Sequence, residues 1–176
     1  MSFVHLFSCS HRLLVALLPC LPLAAQASFT TFGTSCSPGL ALAANGLPHL
    51  GTAFFFSYAG PLGSSFVGLY NNLDQPVLLL GVSNTQAGTV PLPAPLPTTW
   101  TAGLNCELRV SPDVLLVHPL SAAPPFGLSI AIPATPGLIG FPLHAQWLLL
   151  SERSYFGQPL WLRAFLSNAG TAVLGP

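Results

Sequence analysis

Proline and glycine interrupt this chain so often that no long helix fits between them. The sequence has 19 prolines and 16 glycines in 176 residues. Proline removes a backbone donor and breaks helix interiors, and glycine weakens helices and strands alike. The intervals between them are short and apolar, which is typical of β-strands. No interval shows a helical period over three turns, so the sequence predicts an all-β fold.

The apolar intervals define the predicted strands. They are residues 52–59, 65–71, 77–83, 106–111, 114–120, 126–132, 143–150, 160–167 and a short 171–174. Residues 71–76 (NNLDQP) are predicted to turn. Every second residue from 91 to 97 is proline, so residues 84–100 are predicted to form a long loop or an edge segment. This arrangement predicts one antiparallel β-sandwich, jelly-roll or immunoglobulin-like, with loops rich in proline and glycine.

The N-terminal region has the layout of a secretory signal peptide. A positive start at His11 and Arg12 precedes a short apolar run, and small residues at 25 and 27 provide a cleavage site after Ala27. The apolar run is short and interrupted by proline, which argues against a membrane anchor. A lipoprotein signal at Cys20 is disfavoured by the proline before it. We therefore expect residues 1–27 to be removed, and residues 28–176 to form a single domain.

Charge is scarce in the expected mature chain. It has three arginines, four acidic residues and no lysine, and charged residues make up 5% of the whole sequence. Binding to nucleic acid needs a basic stripe, which is absent from this sequence. Little electrostatic repulsion would keep copies apart, so self-association is expected. The hydrophobic content argues against disorder, and no mature segment is apolar for long enough to predict a membrane-spanning helix.

Two cysteines, Cys36 and Cys106, remain after the predicted cleavage. In an exported chain such a pair most simply forms one disulfide. A metal site or a reactive thiol is the alternative, but neither cysteine has a second ligand at metal-binding spacing nearby.

Four stretches of the chain resemble a known group of proteins. They are Phe32–Cys36, Cys106–Asp113, Leu138–Trp147 and Leu166–Asn168, which together frame almost the whole mature chain. In order and spacing they are similar to the short, low-charge secreted β-domains that recur in planctomycete-type bacteria. The resemblance implies export, a β-rich fold and pairing of Cys36 with Cys106. It implies no functional residue, because that family has no established activity.

Catalytic and metal-binding patterns are weak. Asp113 and His118 are close in sequence, with Ser111 nearby, but a separation of five along a strand puts the first two on opposite faces. We expect Ser111 and Asp113 to serve a turn, and His118 to end a strand. The three mature histidines form no metal-binding pair. A calcium site formed by Asn71, Asn72 and Asp74 is a weaker interpretation than a simple turn. No catalytic residue, metal or cofactor is predicted.

Aromatic residues on the last two long strands provide the functional hypothesis. Alternation along 143–150 puts Trp147 in the core. Along 160–167 an aliphatic face is expected to point inward, which leaves Trp161, Arg163 and Phe165 outward. Indole faces stack on sugar rings and arginine offers paired donors, so these three residues are the candidate ligand-binding site. The alternative is that this face packs under the proline-rich loop or against another subunit.

Trp100, within the proline-rich loop, has two interpretations. It either pins the loop or lines the edge of a site. Taken together, the sequence predicts a secreted, extracellular or periplasmic, non-catalytic interaction module that binds glycans or surface polymers. A structural subunit of an extracellular or envelope layer is the second hypothesis. An exported hydrolase that uses His118 or His144 is the third.

Overall fold

The computed structural model describes residues 25–61, 63–67, 70–120, 126–155 and 158–176. Within these ranges the chain forms thirteen strands and one short 3-10 turn. In chain order the elements are β1 (Ser28–Phe32), β2 (Ala41–Asn45), β3 (Ala53–Ala59), β4 (Gly63–Val67), β5 (Tyr70–Gly81), β6 (Gln86–Ala87), β7 (Val90–Pro91), β8 (Ala94–Pro95), β9 (Glu107–Leu108), β10 (Val114–Val117), β11 (Gly127–Ala131), the 3-10 turn (Pro136–Leu138), β12 (Pro142–Tyr155) and β13 (Gln158–Val173).

The strands build two main antiparallel sheets. The larger sheet has the order β1-β13-β12-β5-β10, and β4 also pairs with β5. Because β12 occupies one side of β5, the strands β4 and β10 follow one another along its other side. The smaller sheet has the order β11-β3-β2, and β6-β7 and β8-β9 are short ribbons. The prediction of an all-β sandwich with antiparallel sheets is confirmed. The jelly-roll and immunoglobulin-like alternatives stay predictions.

The core between the two sheets is aromatic. Phe54 and Phe56 of β3 are almost fully buried with ring centroids 4.9 Å apart, and Phe29 of β1 lies within 6.0 Å of both. Trp147 of β12 is fully buried, as predicted, and its ring centroid lies 5.2 Å from that of Tyr58. Tilted and edge-on rings at these distances stabilise a core beyond the area that they bury.

The opposite face of the large sheet is covered by residues 82–113. They cross it as an irregular segment, which we call the irregular cover. Val110 of this segment is fully buried and packs with Leu79 of β5 in a second apolar cluster. The predicted disulfide between Cys36 and Cys106 is confirmed, and it ties the segment to the chain that follows β1. Two covers explain why β5 is apolar on both faces.

Strand β5 corrects the predicted turn at residues 71–76. The chain stays extended from Tyr70 to Gly81 and pairs with β12 along this whole length. Pro76 lies between the part of β5 that pairs with β4 and the part that pairs with β10. A proline is tolerated where a neighbouring strand is interrupted, because no ladder bond is then lost. Pairing with β12 therefore outweighs the local turn signals.

Strand β13 is longer than predicted, because it runs through the predicted strand at 160–167 and continues without a break to Val173. It contains a bulge at which Ser167 and Asn168 lie opposite Trp147 alone. The backbone N–H of Trp147 donates to Ser167 Oγ at 2.9 Å, so a side chain replaces the missing ladder partner. The bulge keeps the ladder continuous on either side of it.

The two strands nearest the N-terminus, β1 and β2, were missed by the sequence patterns, and the predicted strand at 106–111 shrinks to β9. β2 reads ALAAN, and alanine is depleted in strands, so its sequence gives little signal. Of the predicted signal peptide, only residues 25–27 lie among the described residues. Ser28, the expected first residue of the mature chain, is also the first residue of β1 and pairs with Val173. Cleavage itself stays a prediction.

Candidate functional site

The three predicted ligand-binding residues lie on the face of β13 that points to the smaller sheet, which we call the sandwich side. Phe165 is opposite Leu149, whose side chain is in the core between the sheets. Trp161 and Arg163 follow on the same face because side chains alternate along a strand. Phe165 is half-buried and packs against the sandwich core, so the expectation that it points outward is wrong.

Trp161 and Arg163 contact each other further along the strand. The Arg163 Cζ atom lies 4.5 Å from the centre of the Trp161 ring, in a cation–π arrangement. The guanidinium therefore covers one face of the indole, the surface on which a sugar ring would stack. The structure brings Trp161 and Arg163 together as a pair, and it separates them from Phe165, which serves the core.

The aliphatic face of β13 is only partly inward. Leu166 is buried, at 1% exposure, but Leu162 is 61% exposed, so the inward prediction is wrong at Leu162. The irregular cover is linked to Leu166 through the disulfide, because Cys36 is bonded to Cys106 and its Sγ accepts the Leu166 N–H. Beyond Ala164 the cover ends, and this face of the sheet opens to solvent.

An apolar groove of about 430 Å³ lies where the cover ends. Its described lining comprises Leu96, Trp100, Leu148, Leu150, Leu162, Arg163 and Ala164. Small-molecule sites in proteins span roughly 300–1,000 Å³, so the groove is of a size that receives part of a ligand. The indole of Trp100 is 57% exposed and forms one wall.

Backbone hydrogen bonds fix the loop that carries Trp100. The Trp100 carbonyl accepts the N–H of Ala164 at 2.9 Å, and the Trp100 N–H donates to the Pro97 carbonyl at 2.9 Å. β1 pairs with β13 only from residue 169 onward, so the loop takes the place of a strand at Ala164. The backbone of Trp100 therefore pins the loop, as one interpretation predicted, and its side chain lines the groove.

The disulfide holds the other lip of the groove. The Leu96 N–H donates to the Cys106 carbonyl at 2.8 Å, and Cys106 is bonded to Cys36. A groove between a fixed loop and a sheet keeps its shape without a ligand, which lowers the entropic cost of binding. Its walls are aliphatic and aromatic, so burial of apolar surface would supply most of the affinity.

The three mature histidines are each engaged in the fold. Buried His118 directly follows β10, as predicted for a strand end, and its Nε2 accepts the Gly127 N–H at 3.1 Å. His144 Nδ1 lies 2.9 Å from Thr171 Oγ1, and burial lowers the pKa of His144. His49 Nδ1 lies 2.6 Å from the Pro176 carbonyl.

Ser111 and Asp113 form a turn, as predicted. Asp113 Oδ2 accepts the Val82 N–H at 2.9 Å and the Ser111 hydroxyl at 2.8 Å. The Val82 bond, followed by the Ser111 bond, holds the pKa of the Asp113 carboxyl below its ordinary value. Ser111 Oγ in turn accepts the Ser83 N–H at 3.1 Å. The cluster joins the start of the irregular cover to its end.

Asp74 of the hypothetical calcium site lies in β5 instead of a turn, and the side chains of Asn71 and Asn72 fall outside the described residues. In the part of the chain that the structure describes, no three His, Cys, Asp or Glu residues cluster in a way that would hold a metal ion. Within the same residues, no helix is long and apolar enough to cross a membrane.

The groove was missed because its walls come from distant segments. Leu148 and Leu150 of β12 read as ordinary strand residues, and Leu162 reads as core. Only Trp100 gave a signal, as a large aromatic residue among prolines and threonines.

No family model, no curated protein and no solved structure matches this chain.

Proposed function

We propose that this protein is a secreted, non-catalytic interaction module that binds an extracellular polysaccharide through the apolar groove beside Trp100. The observation that carries the proposal is the exposed indole of Trp100, 57% accessible and fixed by its backbone at the mouth of the groove. The disulfide is compatible with an extracellular or periplasmic protein.

The groove favours a ligand with an apolar face. The C–H face of a pyranose ring suits an indole, whose π-face is negative, and aliphatic walls accept the same surface. Arg163 is the only charged residue among the described lining residues, and its guanidinium is stacked on Trp161, so we expect the ligand to bind mainly through apolar contacts. Polysaccharides present such rings repeatedly, so one groove can bind at many positions along the polymer.

A non-catalytic role is supported by what the titratable groups already do. His118 and His144 are buried in structural contacts, and Asp113 closes a turn. A catalytic base needs to be within reach of a substrate proton. These groups are therefore better explained as parts of the fold.

A glycan array with purified residues 28–176 tests the proposal. We expect binding to at least one polysaccharide, and Trp100→Ala should weaken it about tenfold or more, which corresponds to 1.4 kcal/mol. Trp161→Ala is the matched control, because it removes an indole of β13 that does not line the groove. A greater loss from Trp161→Ala would return the site to the residues predicted from sequence. No glycan binding by the unaltered chain would contradict the proposal.

Export is tested separately. Expression of the full chain with its own leader should release a product that begins at Ser28 when its N-terminus is sequenced. Retention of residues 1–27 would contradict the secreted part of the proposal. The alternative of a structural subunit draws its support from a different feature, the open edge strand β10.

A further inference from the structure

In the part of the chain that the structure describes, β10 is an outer strand of the large sheet, and half of its backbone groups point away from β5. It pairs with β5, with Leu116 opposite Leu78. One register position further on, the His118 N–H donates to the Pro76 carbonyl at 2.9 Å. Donors and acceptors alternate along an antiparallel strand. Leu116 therefore bonds towards β5, and the backbone groups of Leu115 and Val117 face outward.

The exposed side chains of β10 are apolar. Val114, Leu115 and Val117 are 49%, 60% and 62% exposed, and the strand sequence VLLV contains no charge. Proteins usually protect an edge strand with lysine, an inward-pointing charge or a bulge, and this sequence has no lysine. An uncharged edge whose outward donors and acceptors have no partner among the described residues is a template for another strand.

Two prolines limit the length of this template. Pro112 precedes the strand and Pro119 follows it. Pro119 takes the next outward position after Val117, where it offers no N–H. The open edge is therefore restricted to Leu115 and Val117, which lie symmetrically about Leu116. Such a short edge suits one defined partner strand and disfavours an extended fibre.

We propose that two copies of this chain pair through β10, antiparallel and about a twofold axis at Leu116. Leu115 of one copy then lies opposite Val117 of the other, and both outward residues of each copy are hydrogen-bonded. A register with Leu115 opposite itself, or Val117 opposite itself, bonds only one residue of each copy. The twofold axis makes each copy present the same apolar side chains to the other, with Leu116 opposite Leu116.

Charge does not oppose this register. Asp113, the charged residue next to the strand, would lie opposite Pro119 of the second copy, so the two carboxylates stay apart. The pairing joins the two large sheets into one continuous sheet and leaves the groove at Trp100, which involves other strands, free. The inference goes beyond the proposed function, because it requires no ligand.

Sedimentation equilibrium of purified residues 28–176 tests the pairing. We expect a dimer whose fraction grows with concentration, and Leu115→Lys should weaken dimerisation at least tenfold, because it puts a charge at the centre of the contact. Leu162→Lys is the matched control, since Leu162 is 61% exposed but lies in the groove. It should leave the dimer unchanged. Thermal unfolding of each variant checks that the fold is intact.

Cross-linking tests the register. A mixture of Leu115→Cys and Val117→Cys chains should form intermolecular disulfides faster than either variant alone, because the two positions face each other directly. Cross-linking that is fastest in Leu115→Cys alone would overturn the register. A monomer at every soluble concentration, or a dimer lost only with Leu162→Lys, would overturn the pairing. Glycan binding by Trp100→Ala is measured independently, so failure of one proposal is distinguishable from failure of the other.

Discussion

The two faces of the large sheet are covered in different ways. On the sandwich side, a second sheet contributes large aromatic rings, and Trp147 Nε1–H donates to the Ser57 carbonyl at 2.9 Å across the core. On the other side, an irregular segment contributes small aliphatic residues such as Val110. The first cover depends on side-chain packing, and the second needs additional connections.

Those connections follow from the backbone of the irregular cover. A strand satisfies its donors and acceptors in its own ladder, but a buried loop must find other partners. Fully buried Gln146 of β12 provides them: its Oε1 accepts the Arg109 N–H at 2.9 Å, and its Nε2 donates to the Glu107 carbonyl at 3.0 Å. One amide side chain thus takes the place of a neighbouring strand.

A related amide works on the sandwich side. The bulge in β13 turns the side chain of Asn168 towards the smaller sheet. Its Oδ1 accepts the Leu42 N–H at 2.9 Å, and its Nδ2 donates to the Leu42 carbonyl at 3.1 Å. The two faces differ in how much of their stability depends on such an amide. The sandwich has a large apolar core as well as this amide, whereas the irregular cover relies on Gln146 and the disulfide. Substitutions on each face should therefore differ in size and in how far their effects spread.

The largest expected effect is on the sandwich side. Trp147→Ala should lower the free energy of unfolding by about 3–5 kcal/mol, because it leaves a cavity between the sheets. Urea denaturation measures the change. Trp147→Phe is the control: it keeps a ring, loses the bond to Ser57 and should cost much less. Equal costs for the two variants would show that the bond, not the packing, holds the sheets together.

Removal of the disulfide should come next. The bond joins residues 70 apart in the sequence, and the double variant Cys36→Ala, Cys106→Ala should lose about 2–4 kcal/mol. Hydrogen exchange should show faster exchange of the Arg109 amide, which donates to Gln146, while the Phe56 amide in β3 keeps its relative protection. Equal acceleration at both amides would show that the two faces unfold as one unit, which would remove the distinction between them.

Loss of the buried amide should cost somewhat less. Gln146→Met keeps the volume but leaves the Arg109 N–H and the Glu107 carbonyl without their partner, at about 2 kcal/mol. Asn168→Ala is the comparison on the other face. It is less buried, and the sandwich core remains, so about 1 kcal/mol is expected. Chemical denaturation ranks the two, and a larger loss from Asn168→Ala would reverse the comparison.

The smallest effect concerns pH. Burial lowers the pKa of His144 below its ordinary value of 6.5, so the unfolded chain binds the proton more readily than the folded one. Stability should therefore be complete above about pH 6.5 and fall as the pH drops below it. His144→Gln should flatten this dependence between about pH 7 and 5 in thermal unfolding. An unchanged slope would show that His144 does not contribute to it.

The sequence predicts one face of the sheet better than the other. Trp147 and β3 follow from alternation and aromatic content, because these signals are local. The continuation of β5 through Pro76 depends on where β4 stops and β10 starts, which no local pattern records. The irregular cover has no period at all, so the sequence shows the prolines of residues 91–97 but not that Gln146 supports the residues after them.

The candidate site was predictable only in part. Trp161 and Arg163 are adjacent on one face, as alternation requires, but which face that is depends on the second sheet. The inward assignment failed at Leu162 because both faces of β13 are covered near Leu166 and fewer side chains cover them further along. The residues of a strand do not by themselves show where along its length the strand stops being buried. Trp100 was recognisable, yet its groove partners were not.

The position of β13 has a consequence for the order in which the chain acquires structure. This strand lies between β1 and β12, yet among the described strands it is synthesised last. During synthesis β1 has no neighbour in its sheet until Val173 has emerged, so the large sheet cannot close progressively from its N-terminal end. Pairings this distant in sequence are slow to form. Until β13 has emerged, the backbone groups of β1 and β12 that pair with it are therefore open to strands of other chains.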